Sequence, residues 1–344
     1  MQTKSGMPRI GIIGIALTTV IGSGVWKDSL TWSNSAGFFS IAAVFVGWLL
    51  MLTVGLSYAE CVGMFPQGGG PYSYVGGAFG RKAGAFTGML YLAAYIFIGS
   101  LLAFLTALFG LIALEIYTGL AVTTLNIVLL TALVVVVLGL LGGLTPVKHF
   151  GIVAFLWVVI KIVLVIGVFS LLFTNWTPNV VVPSLDGFQS ALNNSIWALL
   201  GFDLMLVFSG ELTEPEKKMP KTILLTLPIF LVVYLIVSLA ASGAVAIGEI
   251  PSGSGSATLL GILASKTGVF AGLVFVFASF SAAGTAYAIL AALGKQASIL
   301  AADGYLPAFF GRDTRGLKLN AAVLGVVLVL IVSVLMTASL EVWG

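Results

Sequence analysis

Residues 18–26 read TTVIGSGVW and lie inside the first long apolar run of the chain, IGIIGIALTTVIGSGVW. A run of that length and apolarity is suited to crossing a bilayer, where every backbone polar group must find a partner within the protein. Yet Gly22, Ser23 and Gly24 occupy its middle. Each glycine costs a helix about 1 kcal/mol relative to alanine, so two of them around a serine invite the backbone to open. Freed N–H and C=O groups at membrane depth cost several kcal/mol each unless a ligand, water or neighbouring helix meets them. An opening at this point is therefore a binding site in waiting.

Composition supports the membrane reading. Of the 344 residues 60% are apolar and 8% charged, and the mean hydropathy is +1.17, whereas a soluble domain carries about 25% charged residues. The solvent is lipid. The net charge of +3 comes from basic residues scattered too thinly to form a basic face, so nucleic acid is not an expected partner. One cysteine, Cys61, and one histidine, His149, cannot build a disulfide or a zinc site. No cofactor or metal is expected. The opening MQTKSGMPRI has no cleavage site before the apolar run and reads as a cytoplasmic tail. Intramembrane catalysis would want H-E-x-x-H or paired aspartates at bilayer depth, and a channel would want a re-entrant filter or a ring of polar residues. The sequence offers neither, so an enzyme is not expected.

Apolar runs of about 20 residues predict nine spans. They fall at roughly 9 to 30, 37 to 64, 84 to 114, 124 to 143, 151 to 173, 190 to 210, 222 to 247, 268 to 302 and 319 to 338. Alternation then gathers Lys4, Arg9, Arg81, Lys82, Lys148, Lys217, Lys218, Lys221, Arg312, Arg315 and Lys318 on the side of the N-terminus, against Lys27 and Lys266 on the other. The positive-inside rule makes the first side cytoplasmic, in a multi-pass protein of the cell membrane. His149 reads as a solvated loop histidine. Glu60 and Asp303 read as gate or topology residues with cytoplasmic basic partners. Lys295 sits near enough to the interface for its side chain to reach it. Lys161 does not: in mid-span it costs about 2.5 to 3.5 kcal/mol and needs internal partners.

The sixth span repeats the anomaly of the first. Its sequence, NNSIWALLGFDLMLVFSGEL, places Gly201, Phe202 and Asp203 at membrane depth. Taken alone, GSG reads better as a seam of close helix packing. Interruptions at matching positions, first and sixth, are what two inverted repeats of five helices produce, and they point to a transporter's midplane site. The chain is thus expected to be one transmembrane domain over 1–344, with repeats at about 9–173 and 190–338, the second incomplete. A half-helix N-terminus suits a carboxylate, and freed carbonyls suit an ammonium. A small molecule carrying both is an amino acid.

Four segments resemble the amino acid–polyamine–organocation (APC) transporters. Gly22, Ser23, Gly24, Val25 and Trp26 resemble the family's G-[ST]-G-[IV]-[FW] signature. YAECVGMFPQGGGPYSYVGGAFGRKAGAFTG is similar to Y-x-E-L…F-P-x-x-G-G-x-Y-x-Y…F-G. GFDLMLVFSGELTEPEKKMPKTI resembles G-F-D…E-E-x-x-N-P-x-R-x-x-P-x-x-I, with Gly210, Glu211, Glu214 and Lys217 as departures. GKQASILAADGYLPAFF resembles R-x-x-x-x-x-A-x-D-G-x-x-P. The aromatic that usually precedes G-F-D, a gate in the family, is replaced here by Leu199 or Leu200.

The resemblance implies an all-α polytopic membrane protein with the five-plus-five inverted-repeat (LeuT-like) fold, its tenth span missing from this chain. It implies a secondary active transporter of amino acids across the cytoplasmic membrane. A non-transporting sensor or an inactive truncated fragment is the alternative. The substrate carboxylate would meet Ile21, Gly22, Ser23 and Gly24. Its ammonium would meet carbonyls near Trp197, Ala198, Leu199 and Leu200, beside Gly201 and Phe202. Asp203 would bind a cationic side chain or cap the unwound segment. Lys161, with a hydroxyl such as Thr285, would replace a bound sodium. That implies a sodium-independent carrier, driven by protons or by exchange, or else a lysine that is a structural tether. One carboxylate in an otherwise apolar WALLGF favours neutral or apolar amino acids.

Overall fold

The computed structural model describes residues 6–177, 180–251, 253–311 and 319–343. Lys4, Arg312, Arg315 and Lys318, four cations of the charge asymmetry, lie outside the described residues. Every regular element described is helical: α1 (Arg9–Val20), α2 (Gly24–Ala36), α3 (Ser40–Met64), α4 (Pro71–Phe79), α5 (Arg81–Thr118), α6 (Thr124–Leu144) and α7 (Val147–Ser170) in the first part, then α8 (Leu185–Leu199), a 3-10 helix (Phe202–Glu211), α9 (Pro215–Ser242), α10 (Ser256–Thr267), α11 (Ala271–Ala302), α12 (Ala308–Gly311) and α13 (Leu319–Trp343).

Seven helical stretches among the described residues are long and apolar enough to cross a membrane. The difference from nine has two causes. The break leaves α1 only 12 residues long, and α2 runs on through a short turn into α3, so that Gly24–Met64 reads as one stretch. The last expected span is present as α13, a 25-residue helix, with Ala322–Leu335 as its described apolar part. Two of the connections between the expected spans, 65–83 and 248–267, hold helices of their own. Pro71 at the first helical position starts α4, and α10 fills the stretch before α11. His149 lies on the exposed first turn of α7 and not in a loop.

Spans pack against the span five places further along. The halves of the first, α1 and α2, meet the 3-10 helix and α8; α3 meets α9, α5 meets α11, and α6 meets α13. A pseudo-two-fold relation between two inverted repeats produces this pairing. Both interruptions then come to the middle of the bundle. At the first, residues 21–23 leave the helix. At the second, Gly201 takes φ +109°, a backbone region that glycine enters without the steric cost borne by other residues. Ten residues of 3-10 helix follow, although runs beyond three or four are uncommon.

The halves of the first span have different neighbours. α1 lies flush on α7: a side chain at Gly11 would meet the Gly151 Cα at 2.9 Å, and one at Gly14 would run into the Phe155 backbone. Small residues at such a seam let two helices approach where lipid supplies no hydrophobic drive. α2 packs on α8, α9 and α10. Its far end is held by Asn34, which donates to Ile250 O (3.0 Å) and accepts from Ile250 N (2.7 Å).

Because the α1–α7 seam has no room, Gly14→Leu is expected to cost at least about 1–3 kcal/mol from overpacking. Gly167, on the same α7, faces open space, so Gly167→Leu should stay within about 0.5 kcal/mol of the parent. Thermal midpoints of the two purified variants in detergent check the contrast.

Candidate functional site

A helix that stops inside the bundle strands its last carbonyls, and those around the end of α1 are met by side chains of three other helices. Lys161, fully buried on α7, donates to Thr18 O, Ile21 O and Thr285 Oγ1, each at 3.0 Å. An ammonium has three N–H donors, and all three are used. From α11, the Thr285 hydroxyl donates to Thr18 O (2.7 Å) and Ser281 to Gly22 O (2.8 Å). From α9, the Tyr234 hydroxyl lies 2.9 Å from Val20 O and 3.1 Å from Ala198 O, so one phenol touches the carbonyl ends of both α1 and α8.

The other side of the break is open. The amides of Ser23, Gly24 and Val25 make no backbone hydrogen bond among the described residues. Both interruptions line a cavity of about 470 Å³, with Gly22, Ser23 and Gly24 on one wall and Trp197, Ala198, Leu200, Gly201, Phe202 and Asp203 on another. Thr285 contributes from α11. Three of the expected residues stand behind the wall: Ile21 and Leu199 are buried in the protein, and Lys161 grips the back of the break. Phe202 packs edge-on against Tyr58 and tilted against Phe230, centroids 6.3 Å apart in each pair.

Asp203 faces α5. Tyr91 donates to its Oδ2 (2.8 Å), and the Tyr95 hydroxyl lies 2.8 and 2.9 Å from its two oxygens. Backbone amides of Gly201 and of Asp203 itself also approach the carboxylate. Both oxygens are therefore engaged by the protein. The tyrosines were legible only as YLAAY, two hydroxyls one helical turn apart in an apolar run, and the sequence reading passed over them. It also passed over Tyr234, Ser281 and Asp28. Asp28 is a second carboxylate on the cavity wall, paired with Lys27.

At the end of the bundle that carries α4, other polar residues are placed differently from their expected roles. Lys295 does not simply reach outward: it forms an ion pair with Glu211 at the end of the 3-10 helix. The Asp303 carboxylate accepts from Tyr72 (2.5 Å), and Arg81 reaches the Asp303 carbonyl instead. Burial, with Asp303 alongside, pushes the Tyr72 phenol above its ordinary value. A hydrogen bond from Lys217 holds the Glu214 carboxyl below the usual range. Glu60 is exposed.

Comparison with known proteins gives this geometry its context. A sequence profile described as amino acid permease matches residues 9–342. The chain belongs to the amino acid permease family. It is accordingly a multi-pass membrane protein and a transporter of the permease type. A curated relative, the uncharacterized amino acid permease YecA of Bacillus subtilis (strain 168), is 27% identical over 335 residues, covering 92% of this chain and 76% of that protein. Two solved structures share the permease's fold at low identity. One is a substrate-bound outward-open Na+-coupled sialic acid symporter (TM-score 0.66, 14% identity, 98% of this chain and 75% of that one). The other is Mhp1, a nucleobase-cation-symport-1 family transporter, closed around bromovinylhydantoin (TM-score 0.63, 11% identity, 98% and 75%).

Removing a tyrosine hydroxyl that donates to Asp203 should cost about 1.5–3 kcal/mol, the range for hydrogen bonds to charged groups. Tyr91→Phe and Tyr95→Phe should each lower thermal stability, and each loss should shrink in an Asp203→Asn background. A coupling energy of about 0.5–3 kcal/mol in the double-mutant cycle is the expected outcome.

Proposed function

We propose that the chain is a secondary active transporter of amino acids across the cytoplasmic membrane, with its N-terminus in the cytoplasm. It works sodium-independently, by proton coupling or exchange, through alternating access around the two interrupted spans. One observation carries this reading. Two helix breaks meet on a single cavity, and the amides where α2 begins have no backbone hydrogen-bond partner among the described residues. A half-helix N-terminus with unpartnered amides and a positive dipole end is an anion receptor. The substrate carboxylate sits on the amides of Ser23, Gly24 and Val25, with its ammonium among the oxygens around it.

Lys161 supports the sodium-independent part. Two carbonyls and a hydroxyl converge on its Nζ at 3.0 Å, and the same oxygen set would suit a small monovalent cation. A fixed ammonium there fills the place and carries the charge. Asp203 serves the second break as a tether, because its oxygens are taken by Tyr91 and Tyr95. The wide, mainly apolar lining from α5, with Ile98, Leu101 and Leu105, favours neutral or apolar side chains.

Uptake of a panel of radiolabelled amino acids into proteoliposomes in sodium-free buffer checks the proposal, with either an imposed pH gradient or amino acid preloaded inside. Uptake by one of these drives is expected, and it should fall to background in Gly24→Leu and Lys161→Ala. Strict dependence on sodium would overturn the account of Lys161. No uptake of any amino acid would overturn the whole reading.

A further inference from the structure

The cavity carries two carboxylates, and they differ in kind. Both oxygens of Asp203 are held by tyrosines. Asp28, only 5% exposed, has Oδ1 paired with Lys27, while its Oδ2 has no hydrogen-bond partner. Among the described residues, Asp28 is the one cavity-lining side chain with a buried polar atom left unsatisfied. Buried carboxylate oxygens are rarely left in that condition, because the unmet desolvation is expensive, so an orphan on a site wall calls for an explanation. The position of Oδ2 is also informative. A Cβ on Gly24 would stand 2.7 Å from it, so the oxygen lies against the Gly24 backbone, beside the free amides at the start of α2. Side chains on a helix lean toward its N-terminus, and Asp28, one turn into α2, is aimed back at that end.

We propose that Asp28 is the receptor for the α-ammonium of the substrate, so that a single half-helix reads both ends of a zwitterion. This rests on the amino acid reading given above and specifies it. In an α-amino acid the nitrogen and the carboxyl carbon share one carbon. When the carboxylate sits on the amides at Gly24, the ammonium is therefore held within reach of an acceptor beside Gly24. A side-chain cation would be carried further into the cavity. The alternative acceptors at the end of α8 are less available: Ala198 O already lies within reach of the Tyr234 hydroxyl, and Leu199 is turned into the protein. With Lys27 on Oδ1, the bound pair of charges is balanced, and a carboxylate without an amine would meet Asp28 as a like charge. Gly24 has a second duty here, since any side chain would displace Oδ2.

The test uses the full chain in detergent. Thermal stabilisation is titrated with each proteinogenic amino acid and with the matching carboxylic acid that lacks the α-amino group. An amino acid that stabilises the parent should bind at least about tenfold more tightly than its deaminated analogue, a comparison that needs no variant. Asp28→Asn should weaken that amino acid about ten- to a hundredfold, as for loss of a hydrogen bond to a charged group, and should bind the analogue no more weakly than the parent does, because the like charge is gone. Gly24→Ala should act in the same direction. If an amino acid binds but neither the analogue nor Asp28→Asn alters affinity, the role of Asp28 is overturned while the amino acid reading stands. Loss confined to cationic amino acids would move Asp28 to side-chain recognition and overturn the proposal. If no amino acid stabilises the parent, both readings fail together.

Discussion

The structure depends on how a helix can end where there is no water. α1 stops in the middle of the bundle, and its last carbonyls, which would continue the helix ladder elsewhere, must be met by side chains. They are met from three directions: Lys161 on α7, Tyr234 on α9, and Ser281 with Thr285 on α11. Four donors fix the position of the break to within hydrogen-bond tolerance. They also explain why a lysine is tolerated at 0% exposure. Its charge answers several carbonyl dipoles at once, and a buried ammonium with every N–H engaged escapes most of the penalty an isolated one would carry. Once the carbonyl side is closed in this way, the amide side remains open to the cavity.

The two breaks are built differently. The first is short, three residues gripped from behind. The second turns on the left-handed backbone of Gly201 and is steadied by the Asp203 carboxylate against two phenols of α5. Tyr234 joins them, its hydroxyl within hydrogen-bond distance of the carbonyl ends of both α1 and α8. The halves of the first span therefore answer to different partners. α1 follows α7 through a glycine seam, and α2 follows α8, α9 and the Asn34 clamp. Only residues 21–23 connect them.

Much of this was legible in the sequence because it follows from backbone chemistry. Glycines flanking Ser23 and the Gly201–Phe202–Asp203 step mark places where a helix cannot pay its way through lipid, and a lone mid-span lysine must have internal partners. The rest depends on which side chains the fold brings together. Tyr91 and Tyr95 belong to a run that reads as ordinary apolar span, and nothing local links them to Asp203, more than a hundred positions away. Asp28 was hidden by its neighbour: Lys27 reads as a topology cation, and the pair looks like interface chemistry until the break turns it into the cavity. The helices of the connections, α4 and α10, were missed for a similar reason. Glycine- and serine-rich stretches read as loops, and packing against the bundle overrides that preference.

The 3-10 winding after Gly201 has a geometric consequence. A 3-10 helix rises about 2.0 Å per residue against 1.5 Å for an α-helix. Ten residues so wound therefore reach about 5 Å further than they would as α-helix, close to one full α-helical pitch. This stretch is a rod held at extra length by what grips its ends: the left-handed glycine at one, the Glu211–Lys295 ion pair at the other. Wound as α-helix, the same ten residues would bring Glu211 closer to Gly201 by that distance.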